Sequence, residues 1–181
     1  IHGGGFIGTG TEEIDFGNNA IISGAYFKDV VLDGYPTRFQ NCTFAGNIRF
    51  PHKAIIEQCQ LTNVSSDTIH MIGSILNSDI DNSALLRVGM ISQCDIDNST
   101  IGGNSESNYE VISTLSNNSI DDSLIYIKSR EVNVINNKFE DSKLSILDDA
   151  SGFIIVSGNM FDGSFSDENE LLFIKAESAN Y

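Results

Sequence analysis

Two short segments, Asp79-Ile80-Asp81 and Asp95-Ile96-Asp97, concentrate the residues best suited to chemistry in this chain. Successive side chains of a strand point to opposite sides, so inward Ile80 and Ile96 would turn all four carboxylates outward. If the segments stack, Asp79, Asp81, Asp95 and Asp97 form a square, with edges of about 6.5–7 Å along a strand and about 5 Å between strands. Asp121, Glu140 and Asp162 extend its Asp81–Asp97 edge. Like charges set opposite one another destabilise a sheet, so the square calls for an explanation. One is glycoside hydrolysis by these four aspartates as the catalytic set, since carboxylates near 5 Å suit a retaining mechanism and wider pairs an inverting one. A second is a hard cation held by several carboxylate oxygens, which makes Ca²⁺ the cofactor to expect if there is one. A third is a solvated acidic face that keeps the molecule soluble. No metal-ligand set is assigned.

A calcium-dependent lyase would also want a basic residue at hand. Arg87, read as lying on a strand between the two Asp pairs, is the only arginine near them in sequence. Sugar binding usually recruits exposed aromatic faces. Trp is absent, which leaves three tyrosines as candidate ligand-binding residues. Tyr35 lies beside Pro36 in a loop, Tyr109 follows a polar insertion, and Tyr126 alternates with Ile125 and Ile127 and so faces outward. His2, His52 and His70 are scattered, and exposure in a turn is enough to explain His52.

The elements that must position these residues show up as an internal repeat. The pattern apolar-x-x-small/polar-x-apolar begins at Ile22, Phe39, Ile56, Ile75, Ile91, Leu115, Val134 and Val156. Its fourth position reads Ala25, Cys42, Cys59, Ser78, Cys94, Asn118, Asn137, Asn159; its sixth reads Phe27, Phe44, Leu61, Ile80, Ile96, Ile120, Phe139, Phe161. The steps are 17, 17, 19, 16, 24, 19 and 22 residues. Unequal steps fit a solenoid, which keeps its core positions stacked while its loops vary. The longest step holds the polar insertion Gly102-Gly103-Asn104-Ser105-Glu106-Ser107-Asn108. Each repeat is followed by a polar turn, as in Asp81-Asn82-Ser83, Asp97-Asn98-Ser99 and Asp121-Asp122-Ser123, and then by a second apolar position. Helical spacing is nowhere sustained.

These features predict an all-β fold, a single-stranded right-handed parallel β-helix of about eight coils that fills residues 1–181 as one domain. Stacked at about 4.8 Å, eight coils make a column on the order of 40 Å tall. The fourth-position residues then form an inward ladder, ending in Asn118, Asn137 and Asn159, whose amides bond along the axis as in cross-β stacks. Cys42 and Cys59 fall within disulfide reach, although reduced, buried thiols are the expectation for all three cysteines. Both ends look open, which points to a piece of a longer chain or to an oligomer.

Composition narrows the function. With 10 Lys+Arg against 25 Asp+Glu the net charge is −15, which disfavours nucleic acid and anionic membranes. No apolar stretch approaches the length needed to span a bilayer. The glycines at 3–5, 8 and 10 lack the strand before and helix after that a phosphate-binding loop requires.

The opening Ile1-His2-Gly3-Gly4-Gly5-Phe6-Ile7-Gly8-Thr9-Gly10 and the irregular Cys/Ser/Asn-ladder coils after it resemble the β-helical region of bacteriophage tailspike and tail-appendage proteins, in the pectate-lyase-like superfamily. The likeness covers nearly the whole chain but is architectural, and no catalytic motif accompanies it. It implies a homotrimer, a place on the virion tail, and host surface polysaccharide or teichoic acid as ligand. Many members cleave that ligand and some only bind it. Three readings follow: a glycan-engaging tail β-helix, a glycan depolymerase that uses the acidic square, and a structural shaft.

Overall fold

A computed structural model describes residues 1–66, 70–102, 112–129, 131–147, 153–163 and 172–175. The described chain is all strand and turn, and every strand pairing is parallel. An eight-stranded sheet takes one strand from each coil, from Ile21–Ser23 through Arg38–Gln40, Ile55–Glu57, Ile72–Leu76, Val88–Ser92, Thr114–Ser116 and Glu131–Ile135 to Phe153–Ser157. About seven turns thus separate its first and last strands. The rest of each coil lies in a fifteen-stranded sheet made of two ladders side by side. In the first three coils one long strand crosses both ladders: Tyr26–Asp33, Thr43–Arg49 and Gln60–Ser66. In the next coils that span breaks in two, as in Asp79–Asp81 and Ala84–Leu85, or Asp95–Asp97 and Thr100–Ile101. The parallel β-solenoid expected from the repeat is therefore present, with Ile80 over Ile96 over Ile120 over Phe139 over Phe161 in register.

Corners need backbone that a pleated strand cannot supply. Before each ladder residue sits one in the left-handed region: Asn41, Gln58, Asn77, Gln93, Asn117 and Asn136, all with φ between 48° and 57°. A second corner repeats the device with Asn63, Asn82, Asn98, Asp122 and Asp141. Asn and Asp tolerate this conformation better than β-branched residues do. Gly102, at φ +92, closes the coil before the insertion; a Cβ there would lie 2.0 Å from the Tyr126 carbonyl oxygen.

At each corner an inward side chain accepts a hydrogen bond from the backbone N–H of the coil before it. Asn118 N donates to Asn137 Oδ1 at 3.0 Å, and Asn137 N to Asn159 Oδ1 at 2.9 Å. The amides add Asn118 Nδ2 to Asn137 Oδ1 at 2.8 Å and Asn137 Nδ2 to Asn159 Oδ1 at 2.9 Å. Further down, Cys42 N donates to Cys59 Sγ at 3.3 Å and Cys59 N to Ser78 Oγ at 3.0 Å. The second corner has its own ladder: Ser83 N to Ser99 Oγ, Ser99 N to Ser123 Oγ and Ser123 N to Ser142 Oγ, at 2.9–3.0 Å. These serines, read as parts of polar turns, are in fact buried. They satisfy N–H groups that the bend removes from the sheet, and an unpaired buried N–H costs about 1–3 kcal/mol.

The core is one continuous column. Phe27, Phe39 and Phe44 fill its first coils, with Phe44 5.3 Å from Phe27, 5.4 Å from Phe39 and 5.1 Å from Phe50 between ring centroids. Isoleucine dominates the middle coils. Cys42, Cys59 and Cys94 are buried free thiols.

Candidate functional site

The acidic square forms as the repeat requires. Asp79 pairs with Asp95 and Asp81 with Asp97, and all four residues are exposed on either side of buried Ile80 and Ile96. The Asp81–Asp97 edge continues in register to Asp121, Glu140 and Asp162. The Asp79–Asp95 edge continues to Ser119 and then Lys138. Lys138 pairs with Glu140. That contact, with Asp162 and Asp121 adding to it, holds the Lys138 ammonium above its usual range. Among the described residues no group of three or more His, Cys, Asp or Glu side chains is placed to hold a metal ion. The column thus offers a cation paired carboxylates rather than an enclosing oxygen cage.

Arg87 does not sit between the Asp pairs. It falls between the strands Ala84–Leu85 and Val88–Ser92, at the corner where the chain passes from one sheet to the other. The break in the strand there carries it away from the carboxylates and toward His52, on which its positive charge acts. The histidines are not all scattered either. His52 and His70 lie 6.3 Å apart between ring centroids, and Tyr35 stacks on His52 at 5.9 Å with an interplanar angle of 14°. Desolvation beside its neighbours and then the charges of Lys53, His70 and Arg87 hold the exposed His52 imidazole below its usual range.

The three tyrosines separate. Tyr35 is 48% exposed at this corner. Tyr126 is half-buried, faces outward between buried Ile125 and Ile127, and pairs with Ser145 in the next coil. Tyr109 lies outside the described residues.

A groove of about 330 Å³ runs across three coils beside the square. Asn41, Gln58 and Asn77 border it on one side and Thr43, Gln60 and Asp79 on the other, with Cys42 and Cys59 between them. Contact with Cys59 draws the Cys42 thiol down to about 7 against the effect of burial, and the same contact together with burial pushes Cys59 up. Asp79 is the one member of the square on this groove. The sequence signal for it was available, because Asn41, Gln58 and Asn77 each immediately precede a ladder position. The left-handed corner turns these amides out to the surface while the next residue goes in.

Four amides and the Thr43 hydroxyl can both donate and accept hydrogen bonds over an open strip, and the Asp79 carboxylate accepts, which suits a polyhydroxylated chain. All four carboxylates of the square are exposed, and Asp79 also borders the groove. No protein-family model matches the chain, and no curated protein matches it in sequence.

Proposed function

We propose that this solenoid is the glycan-engaging β-helical region of a viral tailspike or tail-appendage protein. In this reading it works as a homotrimer on the virion tail, against host surface polysaccharide or teichoic acid. The observation that carries it is the amide-lined groove spanning three coils, with Asp79 at its edge. A strip of neutral donors and acceptors reads hydroxyl groups without demanding a charged ligand, and it repeats along the axis as a polymer does. The acidic column beside it keeps the face soluble and repels anionic competitors.

The test is binding of the full chain to a glycan array and to host cell surfaces, with a Gln58→Ala/Asn77→Ala variant alongside. Binding that falls by about tenfold in the variant, the loss of one or two hydrogen bonds, supports the reading. A chain that binds no glycan and no cell surface is a shaft, and the reading fails. Light scattering tests the assembly, and a monomer at micromolar concentration would count against the trimer.

A second reading, depolymerisation, rests on the in-register carboxylate pairs Asp79–Asp95 and Asp81–Asp97. Binding ranks first because the groove offers hydrogen-bonding groups over three coils, whereas of the four exposed aspartates Asp79 alone reaches it. Release of reducing ends by the wild-type chain, abolished by Asp81→Asn/Asp97→Asn, would reverse that ranking.

A further inference from the structure

The fifteen-stranded sheet is charged along both of its ladders. One holds the acidic column, and the other carries Glu13, Asp15, Asp33, Arg49, Lys128 and Lys143. The eight-stranded sheet differs. Each strand sets one outward residue on either side of an inward one, from Ile21 and Ser23 around Ile22 to Ile155 and Ser157 around Val156. An exposed corner residue follows each strand, as Asn41, Gln58 and Asn77 do. Among the described residues of this face only Arg38 and Glu57 are charged, and they cancel as an ion pair at 3.5 Å. The rest are Ser, Thr, Asn, Gln and Gly, together with Ile21, Ile55, Leu76, Met90, Ile135 and Ile155. A cavity of about 180 Å³ bordered by Ile21, Arg38 and Ile55 gives the face relief at its first coils.

The chain carries −15 overall, so two copies repel one another wherever acidic faces approach. A surface that meets its own copy cannot hold net charge without repelling itself. A surface built for a foreign partner is free to hold charge opposite to that partner's. Zero net charge over a whole sheet face therefore points to self-contact. The extent fits as well. Three positions in each of eight coils match the roughly 20–30 residues a side that stable interfaces use. We infer that the outer face of the eight-stranded sheet is where a second copy of this chain docks, side by side along the column. It names the contact surface of the assembly proposed above and rests on self-association in that reading, not on the glycan or the number of copies.

The experiment follows the full chain by sedimentation velocity through a dilution series at low and high salt. Screening removes the repulsion between acidic copies and leaves apolar contact intact, so association should tighten as salt rises. Association that weakens with salt would mean a contact made by charges, and overturns the proposal. Met90→Glu/Ile155→Glu should weaken assembly by about a hundredfold or more, as unpaired charges buried at a contact do. Ser119→Glu, on the acidic ladder, should weaken it by less than about threefold. The wild-type chain gives a second test that no folding defect can mimic. Met90 is 38% exposed on the neutral face, and Met160 is 52% exposed on the acidic ladder. Dilute peroxide converts exposed methionine to its sulfoxide, so assembly should slow oxidation of Met90 several-fold and leave Met160 unchanged. An assembly whose two methionines react as in the dilute chain, or one that survives Met90→Glu/Ile155→Glu, overturns this contact and leaves the homotrimer standing. A wild-type chain that stays monomeric overturns both. Assembly through the neutral face by a chain that binds no glycan would uphold the contact and end the glycan reading.

Discussion

The first three coils and the five that follow run one backbone plan but present two different molecules to solvent. On the same ladder, the outward residues of the early coils are Tyr26, Thr43 and Gln60 on one edge and Lys28, Ala45 and Thr62 on the other. One coil later the edges become Asp79, Asp95 and Asp81, Asp97, and the second stays acidic through Asp162. The interior changes as well. Early coils stack phenylalanines and set Cys42 over Cys59; the middle coils stack isoleucines, and the last return to phenylalanine at Phe139 and Phe161 beside the Asn118–Asn137–Asn159 ladder. Long strands carry the early part; short strands broken at Asn82, Asn98 and Asp122 carry the later one. The lesson is that stacking fixes only what points inward, so that outward chemistry is free to change from one coil to the next.

The comparison can be broken most forcefully from inside. Phe44 is fully buried among three other rings, and Phe44→Ala should cost about 3–5 kcal/mol in chemical denaturation. A loss below 1 kcal/mol would mean that the early core is not aromatic packing. In the later coils the equivalent test is Asn137→Ala. It removes the acceptor of the Asn118 N–H and the donor to the Leu115 carbonyl, at about 1–3 kcal/mol for each buried group left unpaired. Ser99→Ala, which strands the Ser83 N–H alone, should cost about 1–3 kcal/mol and less than Asn137→Ala in the same assay. The smallest effect sits outside and has the opposite sign. Asp97→Asn relieves repulsion from Asp81 and Asp121, so it should stabilise by about 0.2–1 kcal/mol at low ionic strength. That gain should shrink as salt rises, whereas Thr62→Asn, which changes no charge on the early part of the same edge, should show no such salt dependence.

How much of this was legible follows from which residues the stack constrains. The fourth and sixth positions of the repeat point inward in every coil, so their residue types recur and the Asp79/Asp95 and Asp81/Asp97 register could be read from them. The Ser83–Ser99–Ser123–Ser142 ladder was hidden because a buried serine at a bend has the same local sequence as an exposed serine in a turn. Only the coil before it, whose backbone N–H donates to its hydroxyl, tells them apart. The Tyr35–His52–His70 corner was hidden for another reason. Tyr35 and His52 each lie four residues before a repeat start, Phe39 and Ile56, and His70 lies five before Ile75, but they differ in residue type and belong to no strand, so the repeat of core residues did not draw attention to them. Arg87 was misplaced because the second strand of its coil is only two residues, Ala84–Leu85, and the chain has already turned the corner when it reaches the arginine.

The register of the coils underlies both the acidic column and the groove, and methyl-labelled NOE spectroscopy reads it without altering a residue. Cross-peaks linking Ile80 to Ile96 and Ile96 to Ile120, with none joining Ile80 to Ile120 across a separation of about 9–10 Å, are the predicted result. A spectrum in which Ile96 contacts neither neighbour, or in which Ile80 contacts Ile120 directly, would contradict it.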